Sequence, residues 1–172
     1  TNDRRQRQMC IRDRQKVAAF HRQQFQIPVI GITGSNGKTI VKEWLHQLLA
    51  KKFSIARSPK SYNSQVGVPL SVWQLSATHN LGIFEAGISE VGEMALLEKM
   101  IQPTIGIITN IGSAHDQGFE NRAQKVAEKF NLFEPNTRFE TLIYCLDQAE
   151  INAFVSEKYN PVSYTHLRAH ET

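Results

Sequence analysis

Residues 31–39, GITGSNGKT, carry the densest chemistry in this 172-residue chain. Glycines fall at every third position, and Lys38 and Thr39 follow them ahead of helix-forming residues. Glycines let the backbone turn tightly and aim its N–H groups inward, and a helix beginning near Lys38 adds the positive end of its dipole. Such a loop holds phosphate. Gly34, Ser35, Asn36 and Gly37 would form the cradle, Lys38 would lie along the β and γ phosphates of a nucleotide, and the Thr39 hydroxyl would bind Mg2+. The common spacing of such loops has a glycine at position 32, where this chain has Ile32, so the loop is a variant. A glycine-rich turn can be merely structural; the attached lysine and threonine, and the apolar run in front, argue for phosphate.

Two further residues could share the metal of that phosphate. Glu85 is the one acidic residue at the end of the apolar run LGIFEAG, residues 81–87. A lone carboxylate there is commonly satisfied within the fold. Across a sheet from a phosphate loop it becomes a natural ligand, because Mg2+ takes carboxylate oxygen. His115, in GSAHDQG, follows another apolar run. A loop histidine ordinarily caps or packs, but this one follows a strand that should end at the same rim. A phosphate-loop motor, transporter or switch normally carries an aspartate after its apolar strand; this chain offers Glu85 and His115 instead.

These residues need a frame that brings distant loops together, and the periodicity supplies one. Apolar, largely β-branched runs at 27–33, 53–57, 81–87, 104–110 and 141–146 read as buried strands. Residues 38–51, 66–75, 93–101, 122–133 and 148–157 read as helices; the first carries a stripe of Ile40, Val41, Trp44, Leu45, Leu48 and Leu49. Strand alternating with helix implies right-handed crossovers and an α/β domain, a mostly parallel sheet with helices on both faces. Ligands of such sheets sit beyond the carboxyl ends of the strands. Residues 34–39, Glu85 and 110–115 fall there.

The length suits one domain with a real core. No run is long enough to cross a bilayer and no signal-peptide leader is evident, so no membrane span is expected. The formal charge of +4 would invite nucleic acid, but it is concentrated at one end. The stretch RRQRQMCIRDR at 4–14 and the closing VSYTHLRAHET resemble translated sequencing adapters. Residues 1–14 and 161–172 are therefore expected to be read-through flanking native sequence at 15–160. Residues 1–14 hold five Arg and two Asp and residues 161–172 one Arg and one Glu, which leaves +1 for 15–160 and no nucleic-acid partner. Cys145, in LIYCL, is expected as a reduced core thiol of a cytoplasmic protein.

Two phrases, SYNSQVGVP (61–69) and TNIGSAHDQGF (109–119), exceed what a simple nucleotide switch needs. Together with TGSNGKT (33–39) they resemble the central ATP-binding domain of the Mur ligases, the amide-bond-forming enzymes of peptidoglycan synthesis, whose phosphate loop reads TGxxGKT. The resemblance covers nearly all of residues 15–160. Within the family it is most similar to members that add D-alanyl-D-alanine to UDP-N-acetylmuramoyl-tripeptide, including the form fused to an alanine racemase, which shares RSPKSYNSQ and GIFEAGIS. It implies a P-loop NTPase-like fold, ATP and two Mg2+ ions as cofactors, and UDP-N-acetylmuramoyl-peptide and D-alanyl-D-alanine as substrates. It also implies an N-terminal domain that binds the UDP-sugar and a C-terminal domain that closes over the nucleotide, both outside these residues.

Position by position, the resemblance implies that Lys38 contacts the γ-phosphate and that Thr39 and Glu85 hold one Mg2+. His115 helps hold a second. Asn63 and Ser64 lie near the acyl phosphate and its metal, and Asn110 near the nucleotide. A carbamylated lysine that serves catalysis and the metal falls fourteen residues after the histidine, at Lys129; the alternative is an ordinary solvated helix lysine, like its neighbour Lys125. Asn131 stands where the family often has glutamate and Ser64 where asparagine is common, which bears on substrate detail rather than on ATP use. The competing readings are another Mur ligase, a folylpolyglutamate synthetase-like ligase, or a P-loop ATPase that forms no bond.

Overall fold

The computed structural model describes residues 2–112, 116–133 and 139–158. Five strands, β1 (Val29–Thr33), β2 (Ile55–Arg57), β3 (Leu81–Glu85), β4 (Ile105–Ile108) and β5 (Thr141–Tyr144), form one sheet in the order β2-β3-β1-β4-β5. Every neighbouring pair is parallel. The helices are α1 (Asn2–Gln23), α2 (Lys38–Leu49), α3 (Gly67–Val72), α4 (Glu93–Ile101), α5 (Arg122–Phe130) and α6 (Ala149–Lys158), and a turn of 3-10 helix, Asn131–Phe133, extends α5.

Alternate strand residues feed two cores. Ile30, Ile32, Leu81 and Ile83 face α2, where Val41, Leu45 and Leu49 meet them. Val29, Ala56, Phe84 and Ile108 face the other layer, with Val72, Leu97, Val126 and Phe130. Both faces are apolar, so the central strands read as continuous hydrophobic runs rather than as alternating ones. Only half of the apolar stripe of α2 is used: Ile40, Trp44 and Leu48 stand exposed.

The sequence does not announce α1, because polar side chains dock it rather than an apolar stripe. Gln15 Nε2 donates to Gln65 Oε1 at 2.7 Å, and Ala18 is buried. Arg22, fully buried, donates Nε to Ile101 O at 2.9 Å and Nη2 to Gln102 O at 3.1 Å, which satisfies the carboxyl end of α4. Before Gln15, Met9, Cys10 and residues 12–14 are exposed. Residues 161–172 lie outside the described residues.

Cys145 departs from expectation. It lies one residue past β5 and is exposed, not in the core. The reason is that β5 is an edge strand: Thr141 and Ile143 on one of its faces are exposed, so its apolar run does not signify burial. Among the described residues, no helix is long and apolar enough to cross a membrane.

The register positions the site. Ile32 pairs with Glu85 and Thr33 with Ile108, so β1, β3 and β4 end side by side.

Candidate functional site

The phosphate loop begins where β1 ends. Thr33 is fully buried and donates Oγ1 to Ala86 O at 2.9 Å. Gly34 adopts φ +139, and a Cβ there would stand 2.0 Å from Thr109 Oγ1, so only glycine fits. Gly37, at φ 82, is the left-handed residue from which α2 starts. Ile32, at the variant position, is a fully buried strand residue packed toward α2, and the turn begins two residues later.

The loop after β4 holds this turn from the side. Ser35 N donates to Asn110 O at 2.8 Å and Asn36 N to Asn110 Oδ1 at 2.9 Å. Thr109 Oγ1 donates to Asn36 O at 2.6 Å, and Ser35 Oγ accepts from Gly112 N at 2.9 Å. Asn110 thus grips the loop through both its backbone and its side chain.

Three lysines converge here. Lys38 Nζ donates to Gly34 O at 2.8 Å and Ser35 O at 3.3 Å. Burial lowers its pKa, and the nearby Glu85 carboxylate opposes the shift. Lys129 is buried and donates Nζ to Gly34 O at 3.3 Å. Its amine is lowered to about 8, first by burial and then by the charges of Lys38 and Lys125. Lys125 is buried too, with Nζ 2.6 Å from Gly112 O. Neither lysine of α5 is solvated, which corrects the expectation for Lys125 and excludes the solvated alternative for Lys129. One turn apart, they share the α5 face that is turned toward the phosphate loop and the loop after β4.

Glu85 is fully buried at the end of β3. Its Oε2 accepts from Thr39 Oγ1 at 3.0 Å. Its Oε1 lies 2.9 Å from the ammonium of Lys42 yet receives no hydrogen bond. Lys42 directs its hydrogens to Ser58 O, at 2.8 Å, and to Lys60 O, and it also lies 3.1 Å from Glu43 Oε1. Four oxygens thus face an ammonium with three hydrogens. A buried carboxylate beside a threonine hydroxyl at a phosphate loop, one of its oxygens met only by an ammonium shared among four oxygens, fits Mg2+. The described residues hold no cluster of three His, Cys, Asp or Glu. His115 lies outside the described residues.

Asn63 reaches the same rim. Its carbonyl accepts from Gly87 N at 2.7 Å, and a Cβ on Gly87 would come within 2.8 Å of Asn63 Oδ1. The Ser64 hydroxyl turns instead to the first turn of α3, accepting from Gly67 N at 3.3 Å. Sequence reading missed Lys42, Ser58 and Thr109. For Lys42 a signal existed: a lone glutamate at the end of an apolar strand needs a cation, and Lys42 stands beside the inward-facing Val41 of α2.

Comparison with known proteins identifies the family and the fold. The family described as Mur ligase middle domain matches residues 32–171. A UDP-N-acetylmuramoyl-tripeptide--D-alanyl-D-alanine ligase of Borreliella burgdorferi is 35% identical over 80% of this chain and 31% of its own length. The enzyme of the same name from Synechocystis is 43% identical over 59% of this chain and 22% of its own length. The crystal structure of MurF ligase from Thermotoga maritima in complex with ADP matches with a TM-score of 0.77 at 28% identity, covering 86% of this chain and 34% of that one. The chain spans about a third or less of the length of these proteins.

Proposed function

The chain belongs to the Mur ligase family, whose middle domain it carries, and from that premise we propose that it is the ATP-binding part of a ligase that adds D-alanyl-D-alanine to UDP-N-acetylmuramoyl-tripeptide. The names of the relatives support the substrates, and the ADP in the Thermotoga structure supports the nucleotide. The carrying observation is the contact between Thr39 and Glu85. Beside Lys38, it joins the hydroxyl of a phosphate loop to a buried carboxylate whose other oxygen faces the ammonium of Lys42.

The γ-phosphoryl of ATP passes to the terminal carboxylate of the tripeptide, giving an acyl phosphate and ADP. The amine of D-alanyl-D-alanine then attacks the acyl carbon, the amide forms, and phosphate leaves. In the first step two anions must meet. Lys38 neutralises charge on the γ-phosphoryl, and the backbone of 34–37 with the amino end of α2 orients the phosphates. Thr39 and Glu85 would hold one Mg2+, and His115 with Lys129 a second, together supplying the remaining positive charge. Lys129 is carbamylated in this reading, because as a cation it would repel the metal, whereas as a carbamate it could bind it. Its burial, its lowered pKa and its position at Gly34 support this. Asn63 lies toward the acyl phosphate. Further domains of the full enzyme bind the UDP-sugar and close over the nucleotide, and the reaction runs in the cytoplasm.

The test is to supply the full-length enzyme with MgATP, tripeptide precursor carrying 18O in its terminal carboxylate, and D-alanyl-D-alanine. One 18O should appear in the released phosphate, in step with amide formation. ATP hydrolysis that ignores both peptide substrates would instead favour an ATPase.

A further inference from the structure

Lys42 is a fully buried lysine for which phosphate chemistry has no evident use. Its surroundings explain it. From α2 its ammonium reaches Glu85 Oε1 at 2.9 Å on one side and the carbonyls of Ser58 and Lys60 on the other. Those carbonyls open the segment that runs from β2 to Asn63. The segment is pinned to β3 and the loop after it at three heights: Ser58 N donates to Ile83 O at 3.1 Å, Glu85 N to Ser58 Oγ at 3.1 Å, and Gly87 N, two residues past β3, to Asn63 O at 2.7 Å. Between these pins Lys60 sits at φ 48, a left-handed conformation that a non-glycine residue keeps only when its surroundings impose it. The carbonyl of that residue is one of the two that Lys42 holds.

We propose that Lys42 is a positioning residue that joins the metal-binding carboxylate of Glu85 to the loop bearing Asn63, so that one ammonium sets the register between the nucleotide side and the acyl side of the site. Loss of Lys42 then releases residues 58–63 while leaving the phosphate loop intact, since residues 34–37 are held by Thr109, Asn110 and Gly112. The identity of the acyl substrate rests on the ligase reading, but the mechanical link does not.

The experiment uses Lys42→Met and the double variant Lys42→Met/Glu85→Gln in the full-length enzyme. Amide hydrogen exchange without nucleotide or metal should quicken at least about tenfold in residues 58–63 and stay at the parental rate in 34–37. ADP affinity measured without Mg2+ should stay parental in Lys42→Met, while KM for the peptide rises. The double variant removes both buried charges. Its melting temperature should recover toward the parent, but loop exchange should remain fast, because the two loop carbonyls still lack their donor. Loop exchange restored together with stability in the double variant would show Lys42 to be a charge-balancing residue only, and would overturn the proposal. If Lys42→Met alone does not fold, the double variant decides in the same way. A wild type that shows no ligation would sink the proposed function and leave the exchange result standing.

Discussion

The ammonium groups of Lys38 and Lys129 meet at a single acceptor, the carbonyl oxygen of Gly34, at 2.8 and 3.3 Å. One comes from the first turn of α2 and is partly buried, the other from the last turn of α5 and is buried. Two like charges on one carbonyl repel, and the repulsion contributes to the depressed pKa of Lys129 after burial itself. Adding CO2 to the Lys129 amine would turn that cation into an anion and the repulsion into attraction.

Lys129→Ala in the full-length enzyme should therefore nearly abolish ligation. Acetate or another short carboxylate should partly restore it by filling the vacated anionic site. Lys51→Ala, at an exposed lysine, should behave like the parent. Lys125 cannot serve as that control, because it is buried and holds Gly112 O. Full activity of Lys129→Ala, or no rescue by any carboxylate, would return Lys129 to a structural role.

The carbamate should follow pH in a defined direction. The neutral amine attacks CO2, and a pKa of about 8 leaves about a quarter of Lys129 neutral at pH 7.5, against about a thousandth for an ordinary lysine. With dissolved CO2 held constant, the carbamate signal in 13C NMR should grow as pH rises from 7 to 9. Lys125→Met removes one of the charges that depress this pKa, so the same rise should move to higher pH. A shift to lower pH would contradict the electrostatic account.

Lys38→Ala should slow catalysis far more than it weakens nucleotide binding. Lys38 meets charge that grows on the γ-phosphoryl during transfer, and losing one such donor removes about 3–4 kcal/mol of transition-state stabilisation. Steady-state kinetics separate the effects: kcat should fall by about two to three orders of magnitude. A variant with normal kcat and a raised KM for ATP would show that Lys38 only binds.

Gly34→Ala tests the loop geometry without touching a charged group. Its Cβ would fall 2.0 Å from Thr109 Oγ1 and 3.0 Å from the Asn110 backbone, at a φ of +139. The strain is of the order of 1–3 kcal/mol before any clash is relieved. Isothermal titration should show ADP binding weakened at least about tenfold. Parental affinity would mean that the loop can reshape around the methyl.

Much of this protein is written locally. Five apolar runs separated by helical stripes specify the parallel sheet, since the period of the hydrophobic pattern fixes both the element and the side it buries. Spacing in the loop at 34–39 does the same for phosphate, because only glycine tolerates the turns at Gly34 and Gly37. Glu85 stood out as the one charge at the end of an apolar strand, and the structure seats it against Thr39. The lysines were not legible in this way. By their own pattern Lys125 and Lys129 look like solvated helix residues, with Lys129 marked only by the family resemblance and Lys42 only by the lone charge of Glu85, and each is buried where a backbone carbonyl from another part of the chain meets its ammonium: Gly112, Gly34 and Ser58. Likewise α1 is held by Gln15 and Arg22 reaching residues 65, 101 and 102. A hydrophobic stripe reveals its partner through its own period, whereas a buried cation depends on an oxygen whose position only the folded chain sets.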